Sequence, residues 1–168
     1  MSRNCWAKEK YPISFRDRIR MVRAILLQKK LEQGKKVAEF EAAWNSWLGS
    51  PYSVFVSSGS TAAFLLVSSV VERLHLKPGD KVLLSALGPI SNVMPLLRYG
   101  LIPVFCDVNL KDFSFDKVEL ARIAKDHQDI KLVFVQHPFG LPASHNVIRS
   151  YFPSLPILDD CSESVGAI

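Results

Sequence analysis

Four short stretches of the sequence carry side chains suited to chemistry: Ser57-Ser58-Gly59-Ser60, Ser85 through Pro89, Gln136-His137 and Asp159-Asp160. Each follows a short apolar run. The first, "SSGST", leads directly into an apolar helical pattern. Gly59 lets a ligand approach the backbone closely, and the N–H groups of Ser60, Thr61 and Ala62 are expected to point out of the helix's first turn. With the helix dipole's partial charge of about +0.5, they make an anion site. The hydroxyls of Ser58, Ser60 and Thr61 can add donors. The same residues also read as a plain Ser/Thr helix cap. There is no G-x-G-x-x-G and no G-x-x-x-x-G-K-[ST], so a phosphate held here belongs to a smaller phosphorylated cofactor.

Asp159 and Asp160 leave the last apolar run, and strand alternation sends their side chains to opposite faces. One can face a ligand while the other meets a backbone amide or a basic side chain. A carboxylate beside a heterocyclic nitrogen keeps that nitrogen protonated, as pyridoxal phosphate requires. A helix-capping aspartate fits the position equally well. His137, followed by Pro138 and Gly140, can face a ligand or serve its own loop. His75, His127 and His145 fall at helix ends or in loops. No histidine pair has metal-ligand spacing with a carboxylate, and no G-x-S-x-G nucleophile elbow occurs, so no metal is expected. Cys5, Cys106 and Cys161 are scattered and read as reduced structural thiols.

The elements that must position these residues follow from periodicity. Ser14 with Asp17 starts a helix in which Phe15, Ile19, Val22 and Leu26 form one stripe, and Gly34 is expected to end it. A second helix carries Val37, Phe40, Trp44 and Trp47-Leu48 as core up to Gly49. "YSVFVS", "KVLLSA", "IPVFCDV", "KLVFVQ" and "PILDD" read as five strands. Between them lie "TAAFLLVSSVVERL", "SNVMPLLRYG" (interrupted near Pro95), "DKVELARIAKD" and "SHNVIRSYF" as helices. Strands alternating with helices, and nearly continuous apolar strands, predict an α/β fold: three layers, with a largely parallel sheet flanked by helices on both faces. In such a sheet ligands bind outside the carboxyl ends of the strands, which puts all four polar stretches on one edge. The division expected is an N-terminal helical segment, 1–49, followed by a sheet-containing part, 50–168.

Composition narrows the classes. At 168 residues, 48% hydrophobic and 22% charged, the chain is long and apolar enough for a real core. Residues 1–31 hold nine Lys/Arg against two acidic residues, leaving 12 against 14 in the rest, so the basic excess is a leader on a near-neutral domain. That does not describe a nucleic-acid surface. No run suits a membrane span or a signal peptide, and the expected location is the cytoplasm.

In order and spacing, "GKKVAEFEAAWNSWLG", "SSGSTAAFLL", "LKPGDKVLL", "YGLIPVFCDV" and "ILDDCSESVGA" resemble the DegT-type nucleotide-sugar aminotransferases, which are fold-type I pyridoxal-phosphate enzymes. The similarity runs from about Gly34 to Ala167 and looks nearest to the deoxysugar 3-dehydrase branch of lipopolysaccharide sugar biosynthesis. It implies that Gly59 and Ser60 cradle the phosphate of pyridoxal 5'-phosphate, Ser60 standing where threonine is usual. It implies further that Asp160 pairs with the pyridine nitrogen, that Glu163 stands near the ring oxygen in place of a glutamine, and that His137 matches a histidine after the preceding strand. Pro89 falls where the family stacks an aromatic ring, which implies weaker cofactor binding. The family's Schiff-base lysine, or the histidine replacing it, lies beyond "DDCSESVGA", so no catalytic residue is assigned here and the chain alone is expected to be inactive. The complete enzyme implied is a homodimer acting on nucleotide-linked keto-deoxysugars, with glutamate as amino donor. The alternative is a non-catalytic remnant or interaction domain that no longer binds the cofactor.

Overall fold

A computed structural model describes residues 13–27 and 34–167. The chain forms two compact units, Met1–Phe55 and Val56–Ile168. In the first, α1 spans Phe15–Leu27 and α2 spans Lys35–Leu48. A reciprocal cap opens α1: the Asp17 N–H donates to Ser14 Oγ (3.2 Å), while Asp17 Oδ2 accepts from the Ser14 N–H (3.2 Å) and hydroxyl (2.5 Å). The expected apolar stripe is present, but no residue of α1 is buried. Gly34, expected to end α1, stands at the N-cap of α2, and residues 28–33 lie outside the described ones.

The spacing predicted the aromatic residues of α2 as core, and they are not. None is buried; Phe40 stacks on Trp44 at 5.8 Å and meets Phe55 edge-on at 5.2 Å, and Trp44 touches Trp47 at 5.2 Å. Nor is "YSVFVS" a strand. Its polar groups turn to α2: the Phe55 N–H donates to Glu41 Oε1 (2.7 Å) and the Ser53 hydroxyl to the Glu41 carbonyl (3.2 Å). With those bonds made to α2 and Tyr52 and Val54 exposed, no sheet pairing forms.

The second unit is the parallel α/β layer the sequence predicts, with four strands among the described residues rather than five. They are β1 (Lys81–Ser85), β2 (Ile102–Cys106), β3 (Ile130–Gln136) and β4 (Ile157–Asp160), in the order β2-β1-β3-β4 and all parallel. Helices α3 (Gly59–Leu74) and α4 (Ile90–Arg98) cover one face, where Val67 and Leu96 pack on Val82, Leu84, Leu132 and Phe134. Helices α5 (Lys117–Asp126) and α6 (His145–Tyr151) cover the other, where Leu120, Ile123 and Ile148 pack on Leu83, Val133 and Val135. Burial on both faces explains the strands' continuous apolar runs.

Helix ends follow local chemistry. Asp116 caps α5, its Oδ1 accepting from the Val118 (3.0 Å) and Glu119 (2.9 Å) N–H groups. Pro95 does not interrupt α4, which runs from Ile90 through Arg98 with Pro95 buried inside it. A proline in the second turn forfeits one hydrogen bond, to a carbonyl of the first turn, and burial of its ring offsets that loss.

Candidate functional site at the carboxyl edge of the sheet

Helix α3 ends at Leu74 and its chain enters the amino end of β1 at Lys81, so α3 runs antiparallel to the strands. Its N-terminus therefore lies toward their carboxyl ends. Ser58 caps it, accepting from the Thr61 N–H at 3.1 Å, and the Ala62 N–H is bonded to the Ser58 carbonyl at 3.0 Å. The sequence suggested that the N–H groups of Ser60, Thr61 and Ala62 would all be free; the cap and the first helical bond take the last two. Among the described residues, the first-turn N–H groups without an acceptor are those of Gly59 and Ser60. A Cβ built on Gly59 would meet nothing within 4 Å, so its backbone is open to a ligand.

Strand alternation separates the two aspartates as expected. Asp160 pairs in register with Gln136, two positions beyond the Phe134–Leu158 pair, which puts both on the α3–α4 face. There Asp160 Oδ2 accepts from Asn92 Nδ2 of α4 at 2.7 Å, and Oδ1 accepts from the Ser162 N–H at 3.0 Å. Beside them Ser85, Gly88, Pro89, Asn92 and Gln136 line a cavity of about 30 Å³, room for one water. Gln136 Oε1 is buried with no partner, and a Cβ on Gly88 would come within 2.5 Å of it.

Asp159 points to the α5–α6 face. Its Oδ1 accepts from His137 Nε2 at 2.9 Å and from His145 Nε2 at 2.7 Å. His137 is buried, and its Nδ1 accepts the Ala143 N–H at 2.9 Å, so the ring's proton sits on Nε2. This tautomer matters because His137, His145 and Asp159 otherwise bring three ligand atoms within 4.8 Å of one another. A metal on His137 Nε2 would need a proton on Nδ1, where a backbone N–H already points. The cluster is a hydrogen-bonding post, not a metal site.

The remaining expected residues tie loops together. Glu163 Oε2 accepts the Phe139 N–H at 2.8 Å, and the Ser164 hydroxyl donates to the His137 carbonyl at 2.6 Å. Cys161 follows directly, and partial shielding together with the charges of Asp159 and Asp160 raises its thiol above the ordinary value. The structure thus brings Gly59, Ser60 and Asp160 to one face and one edge, places His137 on the opposite face, and leaves Glu163 in the turn after β4. Sequence reasoning missed Asn92 and His145. A buried asparagine in an apolar helix was the available signal for the first; nothing local marked the second.

Comparison with known proteins bears on the family and the fold. The sequence matches the profile of the DegT/DnrJ/EryC1/StrS aminotransferase family over residues 13–168. GDP-4-keto-6-deoxy-D-mannose 3-dehydratase of Escherichia coli is 29% identical over 150 residues, covering 87% of this chain and 38% of that protein. The lipopolysaccharide biosynthesis protein RfbH of Salmonella typhimurium is 30% identical over 144 residues, covering 81% and 32%. A crystal structure of GDP-4-keto-6-deoxymannose-3-dehydratase with a trapped PLP-glutamate geminal diamine superposes with a TM-score of 0.80 at 27% identity, over 89% of this chain and 39% of that one. The chain spans about a third to two fifths of the length of these relatives. No helix among the described residues is long and apolar enough to cross a membrane. With a family match over nearly the whole chain and the fold to go with it, the protein belongs to the DegT/DnrJ/EryC1/StrS aminotransferase family.

Proposed function

We propose that this chain supplies the cofactor-holding N-terminal portion of a pyridoxal-phosphate-dependent aminotransferase or dehydrase. Its substrates are nucleotide-linked keto-deoxysugars for cell-surface polysaccharide, with glutamate as amino donor, and it works as a cytoplasmic homodimer. The observation that carries the reading is the shared placement of the Gly59–Ser60 N–H groups and Asp160, on one face and at one edge of the sheet. Two unclaimed N–H groups at a helix N-terminus suit a phosphate dianion. A carboxylate held by two donors, with lone pairs to spare, suits a protonated ring nitrogen.

In this reading Gly59 and Ser60 bind the phosphate, and Asp160 orients the ring and keeps the proton on its nitrogen. Glu163 and the turn after β4 close the edge, and His137 supports that turn from the other face. When bound, the cofactor supplies an electron sink for chemistry at the carbon next to the transferred nitrogen. Pro89, which offers no aromatic face, leaves phosphate and nitrogen contacts as the main source of affinity.

Titration with pyridoxamine 5'-phosphate tests this, because its amine cannot condense with the chain's lysines. The expected result is a saturable fluorescence change that Asp160→Ala weakens at least tenfold. No saturable binding, or equal binding by the variant, would leave the non-catalytic remnant as the better reading.

A further inference from the structure

We infer that Asn92 is a positioning residue that holds the Asp160 carboxylate in the plane required to meet a protonated ring nitrogen. The inference rests on the cofactor site proposed above and adds to it a residue from a different helix.

Among the described residues, the buried polar or charged ones are Asn92 and His137, at 7% and 6% exposure. Each spends its side chain on one of the two consecutive aspartates, from opposite sides of the sheet: His137 on Asp159, Asn92 on Asp160. Asn92 has no local reason to be where it is. It occupies the third position of α4, among Val93, Pro95 and Leu96 and against Leu84 and Phe134, where an apolar residue would extend the core. Asparagine is a poor helix former, and a buried amide is costly unless bonded. Its Nδ2 makes a 2.7 Å bond to an oxygen 68 residues away in sequence.

Two donors from separate elements then fix the carboxylate. The Ser162 N–H holds Oδ1 from the turn after β4, and Asn92 holds Oδ2 from α4. With one donor on each oxygen, rotation of the carboxylate plane breaks one bond or the other. The Ser162 side is exposed, whereas the Asn92 side is enclosed, so the Asn92 bond is the one that water does not replace. The amide's donor end must face Asp160, since its carbonyl end would oppose a carboxylate oxygen.

The test compares pyridoxamine 5'-phosphate with its 1-deaza analogue, in which the ring nitrogen is replaced by C–H. Both bind through the same phosphate, and only the first can use Asp160. The wild-type chain is expected to bind pyridoxamine 5'-phosphate more tightly than the analogue. In Asn92→Leu, which keeps the branched shape and removes the donor, pyridoxamine 5'-phosphate should bind roughly tenfold to a hundredfold more weakly, the scale of one hydrogen bond to a charged group. Affinity for the analogue should stay unchanged. Asn92→Asp, of the same shape but opposing Asp160 with a second carboxylate, should lose at least as much. If Asn92→Leu does not give a native circular dichroism spectrum, Asn92→Ser serves in its place, being too short to span the bond. Equal weakening of both probes would show that Asn92 only supports the fold, and no weakening of either would show that Asp160 does not need it; each overturns the inference. Failure of the cofactor site itself reads differently, as absence of binding by the wild-type chain, and would remove the inference with it.

Discussion

Replacing Asp159 by alanine removes an acceptor that two imidazoles share. His137 Nε2 and His145 Nε2 both reach its Oδ1, at 2.9 and 2.7 Å, but the two rings differ in their alternatives. The His145 side chain is 47% exposed and can turn to water, so its share is below about 1 kcal/mol. The His137 side chain is 7% exposed, and its Nδ1 is committed to the Ala143 N–H. Without Asp159 its Nε2–H becomes a buried donor with no acceptor, at a cost of about 1–3 kcal/mol. A loss near 2 kcal/mol with a urea dependence of about 2 kcal/mol per molar lowers the unfolding midpoint by about 1 M. Asp159→Asn keeps a carbonyl oxygen for both imidazoles and should lose less than half as much. Far-UV circular dichroism is the suitable readout, because Trp44 and Trp47 lie in the other unit and would report on its unfolding. The reasoning fails if Asp159→Asn costs as much as Asp159→Ala, or if Asp159→Ala shifts the midpoint by less than about 0.3 M. Nitrogen chemical shifts of His137 should show the proton on Nε2; a proton on Nδ1 would reopen the metal site.

Asp116→Ala removes an acceptor from two N–H groups at the start of α5 and should destabilise the second unit by about 1 kcal/mol in the same urea experiment, with Asp116→Asn recovering most of it. The Cys106 thiol, fully enclosed, is pushed up to about 12 by burial and then by the charges of Glu119, Asp116 and Asp107. Iodoacetamide at pH 8 should therefore spare Cys106 while labelling exposed Cys161, as peptide mapping would show; equal labelling of the two would contradict the burial. Because the folded chain holds this proton more tightly than the unfolded one, the stability it contributes is complete below the ordinary thiol value of 9.0 and is lost as pH rises toward about 12. Cys106→Ala should lose stability less steeply across that window.

The sequence by itself determined the elements whose causes are local. Short, nearly continuous apolar runs placed four parallel strands, and the Ser14–Asp17 and Asp116 caps marked helix starts through contacts within three residues. Alternation alone sent Asp159 and Asp160 to opposite faces. Where a segment's fate depended on a distant partner, the sequence misled. "YSVFVS" has strand composition but bonds to Glu41, and the aromatic residues of α2 have core spacing but remain unburied. Tertiary structure alone decided which side chain serves which aspartate. Asn92 meets Asp160 across 68 residues and His137 meets Asp159 across 22, because the crossovers lay α4 on one face of the sheet and fold the loop after β3 against the other. Local bonds can be read from spacing because the chain's geometry fixes their distance; these two exist only after both faces of the sheet are packed, and packing is a property of the whole unit.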